Sequence, residues 1–170
     1  MQISVYREDE VRRKWLTFWT FFGLLIIQSV VIFGFSSHTA EKSAGVSRAI
    51  MDKLNWLPEF IPREKSASPS GITLHYIIRK IAHMYNFSLI GGIIYMIKDT
   101  LKMSLRKSLI FICYGLLLAV ADELYQRFVP GRSGQVSDVC VDFSGVVLGY
   151  IFICLFFHIF RRGVSHGRKN

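Results

Sequence analysis

Between Ala121 and Gly149 the chain reads ADELYQRFVPGRSGQVSDVCVDFSGVVLG, which sets Asp122, Glu123, Gln126, Arg127, Arg132, Asp138 and Asp142 between two apolar runs. A second polar group, Arg79, Lys80 and His83, stands at the start of another apolar run, and Ser36-Ser37-His38 closes a third. Ionised side chains in or beside hydrocarbon are costly, so such groups pair with one another or do a job. The residue types suit phosphate chemistry. Lysine and arginine clamp phosphate, arginine bidentately, and a histidine near carboxylates can act as general acid or base. On that reading His83, Glu123 and Asp122 are the catalytic candidates. Arg79, Lys80, Gln126, Arg132, Asp138, Asp142 and Ser37 are the binding candidates, with Lys80 and Arg132 on the phosphate. A divalent cation would fall to Glu123 or Asp138. The same residues also suit a satisfied ion-pair network that ties helices together, since breaking a buried pair costs about 3–5 kcal/mol. Close HxH or HxxxH metal spacing and recognised nucleophile motifs are both missing from the sequence, and Ser37 is a weak nucleophile, so binding or bracing is favoured over catalysis. A proton- or ion-coupled carrier ranks third.

The elements that must position these groups follow from composition. The chain has 170 residues, 51% hydrophobic and 19% charged, with a mean hydropathy of +0.34. That balance suits an all-α integral membrane protein better than a soluble domain. The net charge of +9 raises the question of nucleic acid, but the basic residues gather at the ends of apolar runs rather than in a groove-like patch. No organic-cofactor motif is present. Cys113, Cys140 and Cys154 lack CxxC spacing and read as small buried hydrophobes.

Transmembrane spans are expected at about 15–35, 75–97, 108–128 and 138–160. The first follows Arg12-Arg13-Lys14 and is long for a signal-peptide core, so it reads as a retained anchor. Trp15, Trp19 and Trp56 suit a membrane interface. Residues 41–57 carry apolar positions near helical spacing and are expected to form a short amphipathic helix on the outer surface; Pro62 to Gly71 reads as a turn-rich link. The third span is the informative one. Leu109 to Ala121 covers only about 20 Å as a helix, too little to cross. Either it continues through Asp122, Glu123 and Gln126 to about Phe128, or it begins earlier, near Leu101. Basic residues at the N-terminus, in Lys98 to Lys107 and after Phe160 place both termini and that loop in the cytoplasm. This topology sends Ser37, Arg79, Lys80, His83, Asp122, Glu123, Gln126, Asp138 and Asp142 to the outer end of the bundle. Arg79 and Lys80 share a helix face with His83, Asp122 with Gln126, and Asp138 with Asp142, so the polar faces should meet. Gly145 and Gly149 continue the Asp142 face and would admit a close neighbour. His158 and His166 lie at the opposite end, Arg127 reads as a surface anchor, and neither histidine is assigned chemistry.

These residues resemble the VanZ-like family of bacterial membrane proteins. The likeness rests on Lys80 and His83 as K-x-x-H, on the D-E-x-x-Q-x-F-x-P-G-R block from Asp122 to Arg132, and on Ser137, Asp138, Asp142, Gly145 and Gly149. Phe35, Ser36 and Ser37 resemble the end of the family's first helix. Phe87 and Asp142 depart from it, standing where many members carry Tyr and Asn. The resemblance covers most of the chain apart from residues 38–75 and the tails. It implies a single membrane domain over 1–170 with four transmembrane helices in the bacterial cytoplasmic membrane, multi-pass. It further implies a tie to cell-envelope or lipid components and low-level resistance to the lipoglycopeptide teicoplanin. Lipid-linked envelope precursors and the bilayer itself are the expected partners. An outer-leaflet hydrolase or transferase on lipid-linked phosphate or sugar is the alternative, and oligomers are compatible with either.

Overall fold

A computed structural model describes residues 2–53, 74–132 and 134–167 of the chain, and these are built from helices, with no strand among the described residues. The order is α1 (Gln2–Ser36), α2 (Ala40–Lys53), α3 (Leu74–Thr100), α4 (Leu105–Gln126) and α5 (Val136–Gly167). Among the described residues, three stretches are long and apolar enough to cross a membrane: Arg7–Ser36, Leu105–Gln126 and Val136–Arg162. Trp56, the end of the expected amphipathic segment and the Pro62–Gly71 link lie outside the described residues.

α3 is as long as these, at 27 residues, but it plays a different part. It is the central helix and packs against α1, α2, α4 and α5. A helix sheathed by neighbours meets less hydrocarbon, so its sequence can carry His83, Asn86, Ser88, Gly91 and Gly92 where an outer helix carries aliphatic side chains. Phe87, Ile90, Ile94 and Ile97 of α3 form the middle of the core, with Leu25 and Ile32 of α1, Leu118 and Ala119 of α4 and Val146 of α5. The outward faces of α1, α4 and α5 remain apolar: Ile27, Val30, Ile110, Leu117, Phe152 and Phe160 are all exposed. A chain greasy on its outside as well as its inside is built for a hydrocarbon solvent.

The closest approach is between α3 and α5. A Cβ added to Gly145 would meet the Met84 carbonyl oxygen at 2.4 Å, and one added to Gly149 would meet that of Ser88 at 1.9 Å. Gly91 answers from the other side, where a Cβ would sit 1.9 Å from the Val146 carbonyl oxygen. Small residues facing backbone are how helices pack when solvent exclusion offers no drive. The contacts climb both helices in the same sense, so α3 and α5 run parallel. α1 and α4 run parallel to each other, joined by Ser29 Oγ to Tyr114 OH at 2.8 Å and near Ser36 and Gln126, and antiparallel to the α3–α5 pair. Gln28 Nε2 donates to Asn86 Oδ1 at 3.1 Å, tying α1 to α3.

α4 takes the first option open to the third span, and it starts a few residues before Leu109 rather than near Leu101. It begins at Leu105, after the Ser104 cap position, and continues through Asp122 and Glu123 to Gln126. Its 22 residues reach about 33 Å. α1 extends further back than the apolar run, to Gln2, and α5 further on, to Gly167. Cys113 and Cys140 differ from the expectation of burial: both are exposed on the outer surface, and Cys154 is half-buried. Their neighbours Ile112, Tyr114 and Val139 pack against the core, while Cys113 and Cys140 fall on the opposite helix faces. Trp15 and Trp19 are exposed on α1.

Candidate functional site

The polar residues gather at one end of the bundle, formed by the C-terminal ends of α1 and α4 and the N-terminal ends of α3 and α5. Each arrives for a local reason. α4 closes with tightening turns, in which Phe128 N–H donates to Tyr125 O and Val129 N–H to Gln126 O. A reverse turn follows over residues 129–132, with Arg132 N–H donating to Val129 O at 3.1 Å. Proline at its second position and Gly131 with φ 75° at its third are the type II pattern, which needs glycine there. The turn brings the half-buried Arg132 back over the bundle, where its Nη1 donates to Ser36 O at 3.3 Å. Burial, with the Arg79 charge beside it, holds the Arg132 pKa below its ordinary value. Its guanidinium stays charged at neutral pH regardless.

Glu123 anchors the connection to α5. Its Oε1 accepts from the Gln135 N–H at 2.6 Å, just before the first turn of α5. Asp138 sits in that first turn, where the helix dipole favours an anion. Its Oδ1 pairs with Lys80 Nζ at 2.7 Å and accepts from Ser137 Oγ at 3.1 Å. Lys80 also lies over the Tyr76 ring, 4.6 Å from its centroid. The two residues that sequence reasoning offered for a divalent cation, Glu123 and Asp138, are thus both engaged elsewhere by one oxygen.

Deeper in, Asp122 and Asp142 are buried, at 0% and 1% exposure. Gln126 Nε2 donates to Asp122 Oδ2 at 2.9 Å, as helical spacing anticipates. His83 Nδ1 lies 3.8 Å from Asp122 Oδ2 and 3.9 Å from Asp142 Oδ2. Both separations are too long for hydrogen bonds. Asp142 Oδ2, Asp122 Oδ1, Glu123 Oε2 and Arg132 Nε are buried with no hydrogen-bond partner among the described residues. The cleft between them is lined by Arg79, Lys80, His83, Glu123, Gln126, Asp138 and Asp142.

The structure therefore brings together nine of the ten sequence candidates: Arg79, Lys80, His83, Asp122, Glu123, Gln126, Arg132, Asp138 and Asp142. Ser37 stands apart. It is exposed, and its hydroxyl donates to Gly34 O within its own helix turn at 2.7 Å. The inward serine is Ser36, fully buried, with its Oγ 3.5 Å from Gln126 Nε2 and its carbonyl on Arg132. Sequence reasoning took both as one level. The helix phase from Ser29 and Ile32, both buried, would have selected Ser36, seven residues on from Ser29.

Beside the charged cleft a cavity of about 170 Å³ opens between α1, α2 and α3. Arg79, His83 and Arg132 line it together with apolar Ile32, Phe35, Val46, Ile50 and Ile78, and His38, Ser43, Ser47 and Asn86 add polar groups. α2 supplies the lid side. It starts on Thr39, whose hydroxyl accepts from the Lys42 N–H at 3.4 Å. Further along the bundle a more open apolar groove of about 600 Å³ runs between α1, α3 and α5, past Leu24, Ile27, Leu89 and Phe152. Asn86 lines the cavity and Gln28 the groove, so their hydrogen bond stands where the two meet.

The VanZ/LLP1 family model matches residues 19–158, which hold every one of these side chains. The chain belongs to the VanZ/LLP1 family. The likeness read from Lys80 to Gly149 is thus one of descent, and three apolar helices of spanning length make this a membrane protein of the VanZ type. No match is found among curated proteins or among solved structures. The VanZ/LLP1 match spans α1 from Trp19 to the last turns of α5, and so includes both the glycine-lined contact of α3 with α5 and the polar end it supports.

Proposed function

We propose that this VanZ/LLP1 protein binds a phosphate-bearing lipid of the cell envelope at its polar end. The phosphate sits on Arg79 and Arg132, and the hydrocarbon chain runs down the outside of the bundle between α1 and α3. One observation carries the reading: the two arginines line a cavity whose surface is otherwise mostly apolar, next to an apolar groove. Arginine recognises phosphate bidentately, and the half-buried site strengthens the attraction over one in open water. Such a lipid fits both parts of the surface at once, while a soluble anion uses only the first.

In the same reading α3 is the second of four spans, both termini are cytoplasmic, and the polar end faces the outer leaflet of the bacterial cytoplasmic membrane. What supports this is the alternation of helix direction together with the basic residues at the opposite end, among them Lys98, Lys102, Arg106 and Arg161. With the native cysteines replaced, Gln135→Cys should react with a membrane-impermeant thiol reagent added to intact cells. Protection until the cells are opened would reverse the orientation.

The lipid reading is tested by extracting the protein in mild detergent and measuring bound lipid by mass spectrometry. Anionic phospholipid or lipid-linked phosphate should be retained over zwitterionic lipid, and equal retention would defeat the proposal. Envelope binding of this kind gives low-level protection against teicoplanin, whose lipid tail brings it to the same surface. Expression should raise the tolerated dose of teicoplanin much more than that of a tail-free glycopeptide, and parallel dose curves would remove that role.

A second reading, turnover of the lipid-linked group with His83 as acid or base, is favoured by the position of His83 between the two buried aspartates and the arginine cavity. It predicts a changed ratio of lipid-linked envelope intermediates when the protein is present, whereas binding leaves that ratio alone.

A further inference from the structure

We propose that His83, Asp122 and Asp142 form a site for one divalent transition-metal ion. The three side chains come from α3, α4 and α5, and each offers one donor atom within 4.8 Å of the others. Their spacing is informative. At 3.8 and 3.9 Å from the imidazole nitrogen, the two carboxylate oxygens are too far to accept a hydrogen bond. An ion with bonds of about 2.1 Å at tetrahedral angles holds its donor atoms about 3.4 Å apart. To close the set around a common centre, each nitrogen–oxygen separation shortens by about half an ångström, and the two carboxylate oxygens, which lie within 4.8 Å of each other, by up to about 1.4 Å.

A second observation points to a missing occupant. Asp142 is 1% exposed, and its Oδ2, the atom facing His83, has no hydrogen-bond partner among the described residues. Burying a carboxylate without a partner is costly. The nearest ammonium does not answer for it, because Lys80 is held by Asp138 at 2.7 Å. A dication between Asp122 and Asp142 neutralises both carboxylates at once. Gln126, donating to Asp122 Oδ2 at 2.9 Å, is the outer partner that fixes a liganding carboxylate in place. The fourth position faces the charged cleft, which has room for roughly one water-sized group.

One imidazole nitrogen with two carboxylate oxygens suits Zn²⁺, Mn²⁺ or Fe²⁺ better than the all-oxygen preference of Ca²⁺ or Mg²⁺. The site does not depend on the lipid reading. It also differs from the cation placement on Glu123 or Asp138 that residue type suggested, because those two acids are held by the Gln135 N–H and by Lys80.

The test uses the full chain, purified in detergent without a polyhistidine tag, stripped with chelator and re-equilibrated with Zn²⁺, Mn²⁺, Fe²⁺ or Co²⁺. About one ion per folded chain is expected for at least one of these, with Co²⁺ giving the visible absorption of nitrogen and oxygen ligation. Asp142→Asn and His83→Gln should each weaken binding at least tenfold. Asp99→Asn, which removes a carboxylate at the opposite end of the bundle, should bind as the native chain does. Uptake well below one ion per chain with every metal overturns the site, and so does undiminished binding in both site variants. If neither variant elutes as a folded protein, the Co²⁺ spectrum of the native chain decides, since the spectrum of the hydrated ion would refute the proposal.

Discussion

Gly149→Val should destabilise the protein by about 3 kcal/mol or more, the largest loss expected from any single added side chain along α5. The reason is the nature of the obstacle. A Cβ at residue 149 would lie 1.9 Å from the Ser88 carbonyl oxygen, 2.6 Å from its carbon and 2.8 Å from its Cα. Backbone cannot rotate aside as a side chain can, so α3 and α5 must separate. The separation spreads along the parallel pair, because Gly145 against Met84 and Gly91 against Val146 belong to the same contact. It also moves Asp138 from Lys80 and Asp142 from His83, so lipid retention and metal uptake should fall with stability. Gly23→Val is the matched control. A Cβ there meets nothing within 4 Å, and the change should stay within about 0.5 kcal/mol. Thermal unfolding in detergent, followed by helical circular dichroism, measures both. Equal midpoints for the native chain and Gly149→Val would contradict the packing described above.

The second large effect is on binding. Arg132→Ala should lower retention of anionic lipid at least tenfold, a loss of about 1.4 kcal/mol or more. Arg132 reaches the cavity from the Pro130–Gly131 turn, half-buried, with Nη1 held by Ser36 O and Nε without a partner among the described residues. Positive charge held in a partly buried wall is screened less than charge in open solvent. Arg132→Lys should recover only part of the loss, since an ammonium lacks the planar fork that engages two phosphate oxygens. Arg127→Ala removes an exposed guanidinium five residues earlier and should change retention little. If Arg132→Ala and Arg127→Ala lost lipid equally, the arginines would be acting through net charge alone, and the cavity would have no special role.

Much of the site was legible because membrane depth makes polar residues conspicuous. Against apolar runs, Lys80, His83, Asp122, Glu123, Asp138 and Asp142 could be picked out by cost alone. Helical spacing then paired Asp122 with Gln126, and the structure makes that pair a hydrogen bond. The glycine spacing of 145 and 149 likewise announced a close neighbour, and α3 is that neighbour. Less legible were choices made by rotation and register. Ser36 and Ser37 are adjacent and chemically identical, and only the phase of α1 against α4 turns Ser36 inward. The cysteines carried apolar surroundings in sequence that fitted core and lipid face equally. Apolarity stops distinguishing inside from outside once the solvent is itself hydrocarbon.

The cluster between Ala121 and Gly149 shows the division. By itself the sequence determined which groups are too polar for their surroundings, that helices must carry them, and that the chain resembles the VanZ-like proteins, a likeness the family match bears out. Only the tertiary structure decided how the acids divide. Asp138 takes Lys80, Glu123 takes the Gln135 N–H, and Asp122 and Asp142 are left facing His83. Four carboxylates read from sequence are equivalent acceptors. Their partners depend on distances of a few ångströms between helices far apart in the chain, and those are set by where glycines let α3 and α5 touch.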